Sequence, residues 1–215
     1  SLDAILRDAP IHGLNTACFV LQFDDMEKFV DRFGRAAQIE VLARSAERIC
    51  AVLRSGDVVA RLEGGGFAVA LNPVRRLELE SLIQLATRLQ SAISVPISLD
   101  ASKLYMTCSI GFCHSSETPE PTGTSILNAA QVAADEARRR GPGAIRAFAT
   151  DMARTRADRD SLREELELAL DEGQIRPNFQ PQVSTHTGEI TGFEALARWY
   201  HPERGLIPPA EFLPL

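Results

Sequence analysis

The chain is 215 residues long and weighs 23.5 kDa, which leaves room for one full domain and part of a second. A hydrophobic share of 45%, a charged share of 24% and a net charge of −6 exclude a disordered or collagen-like chain. They also argue against a nucleic-acid partner, which calls for a positive field. No apolar run approaches the ~20 residues of a membrane span, and no signal peptide opens the sequence at Ser1–Asp8. A cytoplasmic protein with no membrane segment in this chain is therefore expected.

Residues 17–23 (Ala-Cys-Phe-Val-Leu-Gln-Phe) are nearly all apolar, the pattern of a strand buried on both faces. Asp24 and Asp25 follow and can cap a helix. Apolar residues at Ile39, Leu42, Ala46, Ile49, Cys50 and Leu53 then mark one helical stripe. Two short strands, Val58–Leu62 and Phe67–Leu71, flank Gly64-Gly65-Gly66, whose freedom at positive φ suits a tight hairpin. Leu79, Leu82, Ile83, Ala86, Leu89 and Ile93 mark a second helix, and Leu104–Phe112 reads as another strand. Ser115–Gly123, with Pro119 and Pro121, reads as a loop. A helix over Ser125–Arg140 stops at Gly141-Pro142-Gly143, and a short strand lies near Ala144–Phe148. The order βαββαβ, with a helix and strand added, predicts an α+β fold: an antiparallel sheet with helices on one face.

Asp158–Leu170 is a charged helix with Leu162, Leu166, Ala169 and Leu170 on one side, and it reads as a connector. Beyond it the chain changes character, with strand-like Gly192–Arg198 and proline-rich Leu206–Leu215. The expected divisions are residues 1–150, 151–174 and 175–215. Cys18, Cys50, Cys108 and Cys113 form no Cys-x-x-Cys pair and read as buried thiols. His12, His114, His186 and His201 make no metal-ligand spacing.

The run Arg61-Leu-Glu-Gly-Gly-Gly-Phe-Ala-Val-Ala-Leu71 resembles the hairpin of GGDEF domains, the diguanylate cyclases, whose signature is Gly-Gly-Asp/Glu-Glu-Phe. Asp57-Val-Val-Ala-Arg61, Thr107–Gly111 and Phe33-Gly34 agree with it. The five signature positions read Glu63, Gly64, Gly65, Gly66 and Phe67, so the catalytic signature is broken. Further on, Phe179-Gln-Pro-Gln-Val183, Thr187–Trp199 and His201–Phe212 resemble the opening of an EAL domain, a metal-dependent cyclic di-GMP phosphodiesterase on a (β/α)8 barrel. Such a barrel takes roughly 250 residues, and this chain supplies only the first strand or two.

The resemblance implies site residues. The cyclase family's metal aspartate corresponds to Gln22, a neutral group, and its second acidic metal ligand to Gly65. The family's Asp-x-Asp-x-Phe-Lys pattern puts its lysine at Glu27. The guanine-binding asparagine and aspartate fall on Val30 and Ile39, and the triphosphate-binding lysine and arginine on Arg138 and Pro142. In a shifted register Asp24 or Asp25 would be the metal ligand instead. Arg54 and Asp57 match the family's inhibitory Arg-x-x-Asp site for cyclic di-GMP; the other reading is that Asp57 caps the strand and Arg54 is solvated. In the EAL part, Glu194 corresponds to a metal ligand for Mg or Mn in a full-length domain, and Gln180, Leu196 and Arg198 to groups that line the dinucleotide.

These correspondences imply an inactive GGDEF regulatory domain of a GGDEF–EAL signalling protein, itself a cyclic di-GMP phosphodiesterase. The alternative is a non-enzymatic receptor with both domains degenerate. A homodimer is left open. No cofactor is expected on these residues by themselves. The EAL tail, without its later strands, is expected to be poorly anchored, or to lie against the first domain or a neighbouring chain.

Overall fold

The computed structural model describes residues 6, 13–99 and 102–214. The chain forms two compact units, the first ending at Ala153 and the second running from Arg154 to Leu215.

The first unit holds β1 (Ala17–Phe23), α1 (Met26–Val52), β2 (Val58–Arg61), β3 (Phe67–Ala70), α2 (Leu79–Ser94), the hairpin β4 (Ile97–Leu99) and β5 (Ser102–Leu104), β6 (Cys108–His114), α3 (Gly123–Arg140) and β7 (Ile145–Ala147). Its main sheet has the order β2-β3-β1-β6-β7. All neighbours are antiparallel except β6 and β7, which run parallel.

Helices cover both faces of this sheet, not one. Phe19, Leu21 and Phe23 of β1, with Val69 and Ile110, pack on Val41, Leu42 and Ile49 of α1 and on Leu82, Ala86 and Leu89 of α2. The alternate residues Cys18 and Val20, with Cys113, pack on Ile126, Ala130, Ala133 and Ala134 of α3. The unbroken apolarity of β1 demands both covers. Close approach of α3 depends on Gly111 of β6, where a Cβ would lie 2.0 Å from the Ala134 nitrogen and 2.4 Å from the Ala130 oxygen.

The helical stripes also differ from expectation. Gly34 (φ 81°) breaks the helical path inside α1, and beyond it the buried positions are Ala37, Val41, Leu42, Ser45 and Ile49. Ile39 and Cys50 are exposed, as are Leu79 and Ile83 at the start of α2. Neither α1 nor α2 has a basic residue in its last turn. Each is served by the other's arginine: Arg48 donates to the Ile93, Val95 and Pro96 carbonyls, and Arg88 to the Val52 carbonyl at 3.2 Å.

Helix α4 (Thr150–Asp171) leads into the second unit, with β8 (Ile175–Val183), β9 (Ile190–His201), β10 (Gly205–Ile207) and α5 (Pro209–Phe212). The strands form an antiparallel sheet in the order β10-β9-β8. This region is not poorly anchored. Leu162 and Ala169 of α4 close a core with Trp199, Ile207 and Phe212, while Leu170 turns outward. Trp199 is fully buried; its indole N–H donates to Gln174 Oε1 at 3.0 Å, and its ring meets Phe212 edge-on at 5.8 Å. Glu165 of α4 accepts from Ser161 Oγ (2.7 Å), Arg204 (3.2 Å) and His201 Nε2. The Glu203 and Arg204 amides donate to His201 Nδ1 at 3.1 Å, which leaves the proton of a neutral ring on Nε2.

Candidate functional site

The alternation along β1 puts Gln22 on the α3 side, with Cys18 and Val20. Its amide nitrogen donates to Asp135 Oδ1 at 2.9 Å, and Gln131 donates to the same oxygen at 2.8 Å. Among the described residues the buried Gln22 carbonyl oxygen has no partner. Just past the strand, Asp24 works as a staple. Its Oδ1 accepts from Ser109 Oγ at 2.5 Å and its Oδ2 from the Gly143 amide at 3.0 Å, while its own N–H donates to the Thr107 carbonyl. Asp24, Asp25, Asp135, Arg138, Arg139 and Pro142 line an open cleft of about 380 Å³. Arg139 and Arg140 are both paired with Glu136. Neither aspartate's carboxylate caps α1: Asp24 is held by β6 and the loop after α3, and Asp25 pairs with Lys28 at 2.8 Å.

The β2–β3 hairpin stands beside the end of β1, with Phe67 opposite Leu21. Gly64 and Gly65 take φ of 86° and 89°, the left-handed values that favour glycine. At Gly66 a Cβ would fall 2.6 Å from the Leu21 carbonyl oxygen, so the turn approaches β1 as bare backbone. Phe67 is buried in the core and Glu63 is exposed. Val30 packs partly into the core, and Ile39 and Glu27 are exposed on α1.

A divalent cation needs several anionic or carbonyl oxygens. The two positions expected from the resemblance to supply carboxylates, Gln22 and Gly65, are a neutral amide held by Asp135 and a glycine. Asp24 already accepts two hydrogen bonds. Among the described residues no three His, Cys, Asp or Glu side chains converge on a point that could hold a metal ion. His12 lies outside the described residues. These side chains do not fit a two-metal centre.

Arg54 and Asp57 come together at the turn before β2. Asp57 Oδ2 accepts from the Arg54 amide at 2.9 Å and Oδ1 from the Asn72 amide at 2.8 Å. The carboxylate thus caps the turn and ties it to the end of β3. Both residues, with Val52, Leu77, Leu85 and Arg88, line a cleft of about 240 Å³.

In the second unit, Glu194, Leu196 and Arg198 share one face of β9, opposite Gln180, Asn178 and Arg176 of β8. Gln180 and Glu194 are directly paired, so the register places three of the four expected EAL positions within one short stretch of this face and Arg198 one step further. Glu194 is exposed. Arg198 donates to the neighbouring Ala197 carbonyl at 2.8 Å. One carboxylate among amides and an arginine is not by itself a divalent site.

Burial pushes the Cys18 and Cys108 thiols up to about 12 and the Cys113 thiol to about 11, so all three stay protonated. The serine hydroxyl of Ser161 and the His201 ring, in that order, hold the Glu165 carboxyl below the usual carboxylate range.

Residues 1–143 match the family model described as diguanylate cyclase, GGDEF domain, and residues 163–215 match the EAL domain. The chain is 30% identical over 210 residues to the cyclic di-GMP phosphodiesterase NbdA of Pseudomonas aeruginosa, covering 98% of this chain and 26% of that protein. It is 30% identical over 214 residues to the cyclic di-GMP phosphodiesterase PdeR of Escherichia coli, covering 97% of this chain and 32% of that one. The chain thus spans about a quarter to a third of the length of these curated relatives. Among solved structures, the GGDEF domain of TpbB (YfiN) from Pseudomonas aeruginosa superposes with a TM-score of 0.67 at 32% identity, over 72% of this chain and 88% of that one. No described helix is long and apolar enough to cross a membrane.

Proposed function

Because the chain belongs to the GGDEF family of diguanylate cyclase domains and carries an EAL opening behind it, we propose that its GGDEF domain makes no cyclic di-GMP and regulates an EAL phosphodiesterase in a longer GGDEF–EAL signalling protein. One observation carries this reading. The two positions that would hold cations with carboxylates are Gln22, whose amide is bonded to Asp135, and Gly65. Val30 and Ile39 offer guanine no hydrogen bond, which leaves its polar edge unpaired at a cost of ~1–3 kcal/mol per buried group. Glu27 adds an anion where the family's lysine meets phosphate.

The EAL side of the proposal rests on Glu194 as a ligand for Mg or Mn and on Gln180, Leu196 and Arg198 as cyclic di-GMP contacts, completed by later barrel strands. The 215 residues alone are proposed to be inactive as a hydrolase. Calorimetric titration with GTP and Mg²⁺ tests the loss of the nucleotide site: binding is expected to be weak or absent, and a low-micromolar dissociation constant would overturn that loss and point to GTP as an allosteric activator of the EAL partner.

A second reading, a cyclic di-GMP receptor, draws its support from the Arg54–Asp57 cleft, where an exposed guanidinium stands over partly apolar walls. Titration with cyclic di-GMP separates the two. Saturable binding lost in Arg54→Ala favours the receptor.

A further inference from the structure

The antiparallel register of β8 and β9 sets three pairs side by side on one face: Gln180 opposite Glu194, Asn178 opposite Leu196, and Arg176 opposite Arg198. Successive pairs on a face stand about 6.8 Å apart along the strands. Asn178 is thus ringed by positions proposed above to meet the dinucleotide. Leu196 lies across the ladder, Gln180 one pair to one side, and Arg198 on the diagonal one pair to the other. A ligand that reaches both Gln180 and Arg198 has to pass over Asn178.

Asn178 is exposed, so its amide is open to such a ligand. An unconstrained asparagine amide both donates and accepts. Tyr200, two residues beyond Arg198 on the same face, donates its phenol O–H to Asn178 Oδ1 at 3.1 Å. The acceptor end is thereby engaged and the Nδ2 end is left as the donor; among the described residues nothing bonds to that nitrogen. The neighbouring pair favours an anion. Arg176 and Arg198 face each other directly, and like charges so placed destabilise a ladder. Among the described residues neither has an acidic partner: Arg176 Nε donates to the Gly173 carbonyl at 3.0 Å and Arg198 Nη1 to the Ala197 carbonyl at 2.8 Å.

We infer that Asn178 is a further cyclic di-GMP contact, donating from Nδ2 to a phosphate oxygen of the ligand, and that Tyr200 is the residue that positions it, an assignment that rests on the EAL function proposed above. Tyr200 turns a two-sided amide into a donor, and a donor is what a phosphate oxygen requires.

Steady-state hydrolysis of cyclic di-GMP by the longer GGDEF–EAL protein tests it. Asn178→Asp keeps the side chain's shape and its acceptor for Tyr200, and exchanges the donor for an anion. Its kcat/KM should fall about tenfold or more, the span of a hydrogen bond to a charged group, with the loss carried by KM. Asn178→Ala should lose less, because it adds no repulsion. Tyr200→Phe should raise KM about twofold to threefold in the wild-type background, and should add nothing in Asn178→Ala, since it acts only through the amide. Both side chains are exposed, so these variants leave the core untouched. A wild-type protein that does not hydrolyse cyclic di-GMP would overturn the EAL function and this inference with it. Wild-type hydrolysis with an unchanged KM in Asn178→Asp would overturn this inference alone. So would a Tyr200→Phe effect that persists in full in Asn178→Ala.

Discussion

Replacing Trp199 with alanine should unfold the second unit and leave the first intact. The indole is fully buried between α4 and α5 and donates to Gln174. Large-to-small changes at such sites cost ~3–5 kcal/mol. A folded unit of the roughly 60 residues from Arg154 to Leu215 holds about 3–9 kcal/mol in total, at the usual ~0.05–0.15 kcal/mol per residue. At the middle of both ranges, about 4 of about 6 kcal/mol, the substitution removes roughly two thirds of what holds the unit together. Trp199→Phe, which keeps a ring and loses the N–H bond, should cost about 1–2 kcal/mol and leave the unit folded. Hydrogen–deuterium exchange with peptide resolution reads both outcomes. In Trp199→Ala, amides of β9 and β10 should exchange at the rate of open chain, while those of β1 and β6 stay as slow as in the wild type. Unchanged protection across β9 would refute the claim that the Trp199 cluster holds this unit. Lost protection in β1 would refute the expectation that the first unit stays folded in this variant.

Thiol alkylation under native conditions should label Cys50 alone, since it is exposed while burial keeps Cys18, Cys108 and Cys113 protonated; rapid native labelling of a second cysteine would contradict the packing of β1 and β6 on their helices. Glu165 titrates below the ordinary carboxylate range in the folded protein, so its contribution is full at neutral pH and is lost as pH falls through that lowered value. The fluorescence of Trp199, the sole tryptophan, should therefore report an acid transition below about pH 4.3, which weakens in Glu165→Gln; an identical acid limb in the variant would remove Glu165 from the account. Gly111→Ala should destabilise the first unit by at least ~2 kcal/mol, because the added Cβ meets α3 backbone that cannot rotate away; an unchanged thermal midpoint would contradict it.

The strands that carry unbroken or alternating apolar residues were legible from sequence. The run at residues 17–23 gives β1 to the residue, and the glycines at 64–66 give the hairpin. Coverage of both sheet faces was already implied by that same apolar run, yet the βαββαβ order pointed to one face. The strand β8 was hidden because Pro177 and Pro181 interrupt it; both are tolerated because β8 is the edge of its sheet. Exposed apolar residues such as Ile39 and Leu170 misled the helical stripes, since spacing alone does not say which side a neighbour occupies.

At the candidate site, the resemblance in the sequence pointed to Gln22 and Gly65. It could not show that Asp24 would be held by Ser109 and Gly143, which lie 85 and 119 positions away. Gln131 and Asp135 were missed, though their four-residue spacing on one helix is a readable sign of a pair. The Glu165–His201–Arg204 group joins two segments, α4 and the turn at the end of β9, that only the fold brings together.

The central proposal is that the site around Gln22 and Gly65 carries no cyclase chemistry. It is tested most directly by incubating the 215-residue protein with GTP and Mg²⁺ or Mn²⁺ and separating the nucleotides by chromatography. The account predicts that GTP remains and no cyclic di-GMP forms. Cyclic di-GMP that accumulates with time, and stops accumulating in Asp24→Asn, would place the metal at Asp24 and contradict the account.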